Sequence, residues 1–112
     1  MSTLALRFVA TSSARQPATE LLAALGAEYD AAAGRTLVGG PSAEPSDFTP
    51  PNGTFLLVYE HDRPVACGGL KTVAPGVAEV KRMYVVPEAR RRGVGRALLI
   101  ALEDQARTMG FA

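Results

Sequence analysis

The sequence predicts an α+β (mixed α/β) domain in which a mostly antiparallel sheet is flanked by helices. Short β-rich apolar segments follow one another with turn residues between them, and two longer segments carry apolar residues at three- and four-residue spacing. Hydrophobic residues make up 47% of the 112 positions. A chain of this length and composition folds around one modest core, so we expect residues 1–112 to form a single domain.

Composition argues against several classes of protein. The only cysteine and the only histidine, Cys67 and His61, exclude a disulfide framework and argue against a Cys- or His-built metal site. No apolar run approaches the roughly 20 residues that span a bilayer, and the first residues lack the pattern of a secretory signal. We therefore expect a cytoplasmic protein without a membrane partner.

The net charge of +1 conceals an asymmetry between the two parts of the chain. Residues 1–78 hold five basic and seven acidic side chains, whereas residues 79–112 hold seven basic and four acidic ones. An anionic partner is therefore expected near the C-terminal end.

The first part of the chain predicts a strand, a helix and a long loop. Residues 4–9 form a short apolar run, and Pro17 opens a segment whose apolar residues fall at helical spacing. Residues 34–53 contain eight glycines and prolines, which predicts a loop with at most a helical turn. Such a loop is either a substrate-side element or a solvated connector.

The second part of the chain predicts three strands and the clearest helix. The β-rich segments and the turn residues between them indicate an antiparallel meander formed by residues 55–59, 65–70 and 77–86. Gly68 and Gly69 in the middle strand indicate a bulge or a close backbone approach. Residues 94–109 follow the helical period, and Gly110 is placed to cap the end of that helix.

The segment 87–96, Pro-Glu-Ala-Arg-Arg-Arg-Gly-Val-Gly-Arg, is a basic loop that opens directly into the last helix. A helix N-terminus offers unpaired N–H groups and partial positive charge, and Gly93 and Gly95 allow an oxyanion to approach the backbone. The pattern predicts a pyrophosphate site that the backbone holds and the arginines attract. It matches neither an NTPase loop nor a dinucleotide fingerprint. Because no aromatic residues interleave the arginines, it argues against a nucleic-acid partner.

Residues 79–99 resemble the coenzyme A signature of the GNAT superfamily of acyl-CoA-dependent N-acyltransferases. The core of that signature, Arg/Gln-x-x-Gly-x-Gly/Ala between a strand and a helix, is met by Arg90, Gly93 and Gly95. The alternative is a chance Arg/Gly helix start. The resemblance implies an N-acetyltransferase that uses acetyl-CoA (coenzyme A) and a primary amine of a small molecule or protein, which attacks the thioester directly without a metal. A non-catalytic acyl-CoA-binding or regulatory module is the alternative function.

The resemblance also implies which residues contact the cofactor. Met83 and Val85 would offer main-chain groups to the pantetheine arm, and the strand would splay there to leave an N–H group for the reacting oxyanion. The pyrophosphate would be surrounded by a continuous stretch of the loop and helix, namely Arg90, Arg91, Arg92, Gly93, Val94, Gly95, Arg96 and Ala97.

Glu79 is the candidate catalytic base, because some members of the family carry on the same strand a glutamate that deprotonates the amine through water. An ammonium of pKa about 10.4 must lose a proton before it attacks a thioester. An alternative of equal weight is that Glu79 is a solvated charge or forms an ion pair with Lys81 or Arg82. Glu60, at the end of a neighbouring strand, is a second candidate, for which a surface role is favoured.

Simple strand alternation places Glu79 on one face with Lys81, Met83 and Val85. Tyr84 would then point to the opposite face and pack in the core. Cys67 is also expected in the core, and His61 is expected to be exposed in a turn. Tyr29 belongs to a helix that, by the resemblance, borders the acceptor site.

The resemblance covers the family's first four strands and the helix that follows them. A complete domain of this family continues with a fifth strand, another helix and a closing hairpin, and often supplies a tyrosine that protonates the leaving thiolate. Without the fifth strand, residues 80–86 form an apolar sheet edge. Three explanations remain open: an incomplete chain, a short form whose edge is covered by a partner or by a second copy in a homodimer, and a binder without catalysis.

Overall fold

The computed structural model describes residues 5–33 and 44–111, which form one antiparallel sheet and two helices. The elements in chain order are β1 (Leu6–Ala10), α1 (Ala18–Ala33), β2 (Gly53–Glu60), β3 (Arg63–Ala74), β4 (Val77–Val85) and α2 (Val94–Thr108). The strands lie in the order β1-β2-β3-β4, and each neighbouring pair is antiparallel. The predicted α+β class is confirmed, although β3 starts at Arg63 and extends well beyond the predicted strand.

The two helices cover opposite faces of the sheet. Along β2, Phe55 and Leu57 pack in the cluster on the α1 face, whereas Leu56 and Val58 pack in the cluster on the α2 face. Successive strand residues point to opposite faces, and burial of both faces explains why β2 is a continuous apolar run. Full burial of each such side chain contributes about 1.5–3 kcal/mol.

Helix α2 lies close against Gly68 of β3, whereas Gly69 faces Phe48 and Phe55 on the other side of the sheet. An added Cβ at Gly68 would lie 3.1 Å from Leu102 Cδ1 and 3.3 Å from Leu98 Cδ2, so the glycine provides the close approach that the sequence indicated. The helix ends at Thr108, and the φ of 91° at Gly110 lets Phe111 N–H donate to the Ala106 carbonyl at 2.9 Å. This hydrogen bond satisfies a carbonyl that the end of the helix would otherwise leave free.

Part of the predicted loop is anchored in the core. A 3-10 turn at Pro45–Phe48 buries the Phe48 side chain, whose ring meets Phe55 edge to face with centroids 5.7 Å apart. The interpretation of this part as a solvated connector is therefore wrong, because the buried ring fixes it to the sheet. Residues 34–43 of the predicted loop, and residue 4 of the predicted first strand, lie outside the described residues.

A β-bulge in β4 reverses the alternation of its side chains. Cys67 pairs with Tyr84 and Gly69 with Lys81, so β4 carries one more residue than β3 over this interval. Arg82, within the bulge, has a φ of 58°. Because an extra residue shifts the two-residue period, Met83 and Val85 share the α2 face with Ala78 and Val80. Glu79 and Lys81 therefore lie on the α1 face with Tyr84, and the prediction from simple alternation was wrong.

Strand β4 stands at the end of the sheet, and no strand within residues 5–33 and 44–111 pairs with its outer edge. Over the same residues, neither helix has the length and hydropathy needed to cross a membrane. No group of three or more His, Cys, Asp or Glu side chains in the described part of the chain is arranged to hold a metal ion.

Candidate functional site

The connection from β4 to α2 presents the start of a helix at the surface. It runs through a 3-10 turn at Pro87–Ala89 and is anchored at its two ends by the buried side chains of Ala89 and Val94. Two residues adopt left-handed backbone conformations, Arg91 with φ 64° and Gly93 with φ 85°. The first helical hydrogen bond is donated by Ala97 N–H to the Gly93 carbonyl at 3.0 Å. The preceding N–H groups of the helix therefore have no acceptor within it.

The first turn of α2 is sterically open where an anion would bind. An added Cβ at Gly95 would meet only Val85 Cγ2, at 3.6 Å, which is an ordinary contact. Packing therefore does not require glycine at this position. The free N–H groups, the positive end of the helix dipole and the absence of a side chain fit a bound pyrophosphate.

Two of the four loop arginines are held by carboxylates. The Arg90 guanidinium donates to both oxygens of Glu28 on α1, at 2.9 and 2.7 Å, and its Nε donates to the Val85 carbonyl at 2.8 Å. Arg92 donates to both carboxylate oxygens of Glu60. These bidentate contacts fix the course of the loop against β2 and α1. Glu60 is thus engaged by Arg92 and is not a free base.

The other two arginines keep their charge available. Neither Arg91 nor Arg96 has a carboxylate within ion-pairing distance among the residues that the structure describes, and both are exposed. They flank the open N–H groups of the helix start. Their positive charge adds to that of the helix dipole, although at exposed positions it is screened by salt.

The main chain of β4 next to this loop faces outward. Val86 N–H donates to the Val65 carbonyl of β3 at 2.9 Å, so Val86 belongs to the ladder. Main-chain groups of successive residues in an antiparallel strand alternate in direction, which turns those of Val85 to the outer edge. The contact from Arg90 Nε to the Val85 carbonyl agrees with this direction. Met83 lies two residues before Val85 and directly after the bulge. Its side chain is on the same face of the sheet as that of Val85.

Glu79 lies on the opposite face of β4, where its carboxylate is 56% exposed and lies 3.3 Å from Lys81 Nζ. The ion pair is the arrangement weighed above as the alternative to catalysis. Because the Glu79 side chain is open to solvent, the contact is a weak one.

Cys67 and Tyr84 lie in the core, as the sequence indicated, and both are on the α1 face. Burial raises the pKa of the Cys67 thiol to about 12, which keeps it protonated and unreactive at neutral pH. Its Sγ donates to the Arg82 carbonyl at 3.7 Å. Burial, and then the hydrogen bond that its hydroxyl donates to Glu28 at 3.1 Å, raise the pKa of Tyr84.

A second concave surface lies between α1 and the bulge of β4. It is a cleft of about 250 Å³ lined by Leu22, Leu25, Gly26, Tyr29 and Arg82. The resemblance placed Tyr29 near an acceptor site, but the sequence analysis did not identify the other residues that line this cleft. The available signal was the glycine at position 26, which lies within a helical pattern where glycine is unfavourable.

Comparison with known proteins gives the context of these features. The model of the "Acetyltransferase (GNAT) family" matches residues 20–112. An IAA acetyltransferase of Azospirillum brasilense is 40% identical over 63 residues, which are 55% of this chain and 41% of that protein. The chain therefore spans less than half the length of this relative.

Solved structures show the same fold. A GCN5-related N-acetyltransferase from Kribbella flavida superposes with a TM-score of 0.69 at 21% identity, covering 100% of this chain and 39% of that one. An N-acetylglutamate synthase from Neisseria gonorrhoeae, complexed with coenzyme A and N-acetyl-glutamate, gives a TM-score of 0.67 at 21% identity and covers 99% and 24%. With a family model that covers most of its length, together with the bulged strand, the basic glycine loop and the helix start, the chain belongs to the GNAT acetyltransferase family.

Proposed function

We propose that the chain binds acetyl-CoA at the start of α2 and transfers its acetyl group to a primary amine. The observation that carries the proposal is the open helix N-terminus at Gly93 and Gly95, which stands beside the outward main chain of Val85. The family match and the coenzyme A complex of the Neisseria gonorrhoeae protein support this cofactor class.

The contacts of the loop suggest a separate role in cofactor binding for each group of its residues. The free N–H groups at the start of α2, from Gly93 to Arg96 and including Val94, would hold the pyrophosphate, and Ala97, whose N–H donates to the Gly93 carbonyl, would only line the site. Arg91 and Arg96 would attract the anion, while Arg90 and Arg92 hold the loop in place through Glu28 and Glu60. The outward groups of Met83 and Val85 would align the pantetheine arm. When bound, acetyl-CoA supplies an activated thioester carbonyl.

Glu79 is the proposed base for the acceptor amine. It lies on the α1 face of β4, the face that also forms the cleft with Leu22 and Tyr29. A carboxylate open to solvent can accept a proton through water, and the 3.3 Å contact with Lys81 leaves the Glu79 side chain 56% exposed. An outward N–H group of the strand near Met83 and Val85 would stabilise the oxyanion.

Graded substitution at Gly95 tests cofactor binding. Because a Cβ fits there, Gly95→Ala and Gly95→Leu should keep the fold and raise helix propensity by up to about 1 kcal/mol. The side chain would nevertheless obstruct the pyrophosphate. We expect calorimetric titration with acetyl-CoA to show an affinity that falls from Gly to Ala to Leu, by 100-fold or more for Leu. Unchanged affinity in a variant with normal thermal stability would refute the assignment of this loop.

A matched pair of glutamate variants tests the proposed base. Glu79→Gln should lower kcat/KM for an amine panel by about 10²-fold or more. The control is Glu88→Gln, because the Glu88 side chain is also 56% exposed and paired with a cation, Arg63. Equal effects of both variants would show that Glu79 is only a surface charge. Cofactor binding without turnover of any amine would instead favour the non-catalytic acyl-CoA-binding module.

We also propose that residues 1–112 act as one domain whose outer β4 edge is covered by another chain segment or by a second copy. The edge of β4 is unpaired among the described residues, and exposed edges invite pairing. Light scattering combined with size exclusion tests the second copy. A well-folded monomer of 11.7 kDa would contradict a homodimer.

A further inference from the structure

We propose that the cleft between α1 and β4 recognises a carboxylate through Arg82 and an apolar group through the leucines of α1. The acceptor class would then be a primary amine that also carries a carboxylate and an apolar side chain, as an apolar amino acid does. The identification of this ligand as an acetyl acceptor rests on the function proposed above. The binding of a carboxylate at Arg82 can be tested without it.

Among the described residues of β3 and β4, the lysines on the α1 face of the sheet are paired with carboxylates, whereas Arg82 is not. Lys71 lies 3.7 Å from Asp47, and Lys81 lies 3.3 Å from Glu79. Arg82 has no carboxylate within ion-pairing distance in the described part of the chain, and residues 1–4 and 34–43 contain no acidic side chain at all. A ligand carboxylate would supply the missing charge and bind the guanidinium fork through two parallel hydrogen bonds.

The backbone and the neighbouring ring fix the position of this cation. Arg82 occupies the bulge of β4 with a φ of 58°, a conformation that is costly for a residue with a side chain. Its carbonyl accepts a hydrogen bond from the Cys67 thiol, and its guanidinium lies 5.7 Å from the centre of the Phe48 ring. Strained positions held in this way are typical of binding sites. These contacts therefore hold Arg82 in position before a ligand binds.

The remaining walls of the cleft are apolar and suit a small ligand. Leu22 and Leu25 are partly buried against the α1-side core, and Tyr29 adds a ring that is 58% exposed. The cleft volume of about 250 Å³ lies just below the range of about 300–1,000 Å³ that is usual for drug-sized ligands. An apolar side chain can pack on these walls while a charged end reaches Arg82.

Gly26 keeps the cleft open. It lies inside α1, where glycine is the least favourable residue after proline. Packing does not explain it, since an added Cβ would meet no atom within 4 Å. A side chain at this position would instead project into the space between α1 and Arg82.

The same arrangement disfavours polycationic acceptors. A ligand with several ammonium groups would place positive charge beside an unpaired guanidinium and would find no free carboxylate among the cleft-lining residues. The amine of an amino acid carries only one positive charge, and its own carboxylate compensates for it.

Titration of the full 112-residue chain, observed through its backbone amide NMR signals, tests the inference with two probes that differ only in the carboxylate. We expect L-phenylalanine to shift the signals of Gly26 and Arg82 and to bind at least about 10-fold more tightly than 2-phenylethylamine. Arg82→Gln should remove this difference, and Lys71→Gln, which changes a paired cation on the same face, should not. Gly26→Leu should block both probes. Equal affinities for the two probes, or shifts elsewhere, would overturn the inference.

A parallel titration of the same samples with acetyl-CoA separates this inference from the proposed function. Cofactor binding is expected to shift the signals of residues 93–97. If acetyl-CoA fails to bind while phenylalanine still binds at Arg82, the proposed function fails and the carboxylate site stands. If acetyl-CoA binds and the two probes bind with equal affinity, only the carboxylate site is refuted.

Discussion

The buried thiol of Cys67 predicts a specific loss of stability in alkaline solution. Burial raises the pKa of this thiol from 9.0 to about 12. Because the native thiol holds its proton to higher pH than the unfolded thiol, the native state binds more protons between pH 9 and about 12. Stability contributed by this group is therefore complete below pH 9 and falls as the pH rises towards 12.

The size of the effect follows from the two pKa values. At about pH 10.5 the unfolded thiol is mostly ionised and the native thiol is not, which lowers the free energy of unfolding by about 2 kcal/mol. Loss of the native proton would also remove the donor that Cys67 presents to the Arg82 carbonyl. Cys67→Ala removes the titration but leaves a small cavity, at a cost of about 1 kcal/mol at neutral pH.

Urea unfolding of both proteins under reducing conditions, at about pH 7 and about pH 10.5, measures this difference. The wild type should lose about 2 kcal/mol more than Cys67→Ala between the two pH values. Every other titrating group, including Tyr84, is common to the two proteins and cancels in the comparison. An equal alkaline loss in both proteins would show that the thiol does not hold its proton in the fold.

Three further substitutions test contacts that position the site. Gly69→Ala should destabilise the fold by about 1–3 kcal/mol in urea unfolding, because its Cβ would lie 2.5 Å from Phe48 Cδ1. Gly68→Ala, whose Cβ would lie no closer than 3.1 Å to Leu102 Cδ1 and Met83 Cγ, should cost less, and the reverse order would contradict the packing of these two glycines. Glu28→Gln should lower the melting temperature by several degrees and weaken acetyl-CoA binding, because it frees Arg90 from α1. An unchanged affinity would show that this tether does not order the loop.

The parts of the fold that could be predicted from the sequence are those governed by a simple period. The continuous apolar run of β2 and the four-residue spacing of Val94, Leu98 and Leu102 report burial directly. Phe48 could not be predicted as a core residue, since it lies among prolines and glycines and is buried only by a tertiary contact with Phe55. Local composition carries no information about such a contact.

The candidate site was predictable where it depends on backbone and not where it depends on distant side chains. The glycines and the helix start at Gly93 are local features of the chain. The pairing of Arg90 with Glu28 joins residues 62 positions apart, and that of Arg92 with Glu60 joins residues 32 apart. No spacing rule connects such partners, so the sequence suggested four free arginines where the described structure leaves two.

The bulge in β4 is where the sequence rule failed and where the two halves of the site meet. Without the extra residue, Glu79 would share a face with Met83 and Val85, on the side of α2 and the proposed cofactor loop. The bulge turns Glu79 and Arg82 to the side of α1. It thereby separates the proposed acceptor groups on one face from the cofactor-facing groups on the other, within one strand. Departures from local regularity are expected at functional sites, because a binding geometry can compensate for a strained backbone that packing alone would not favour.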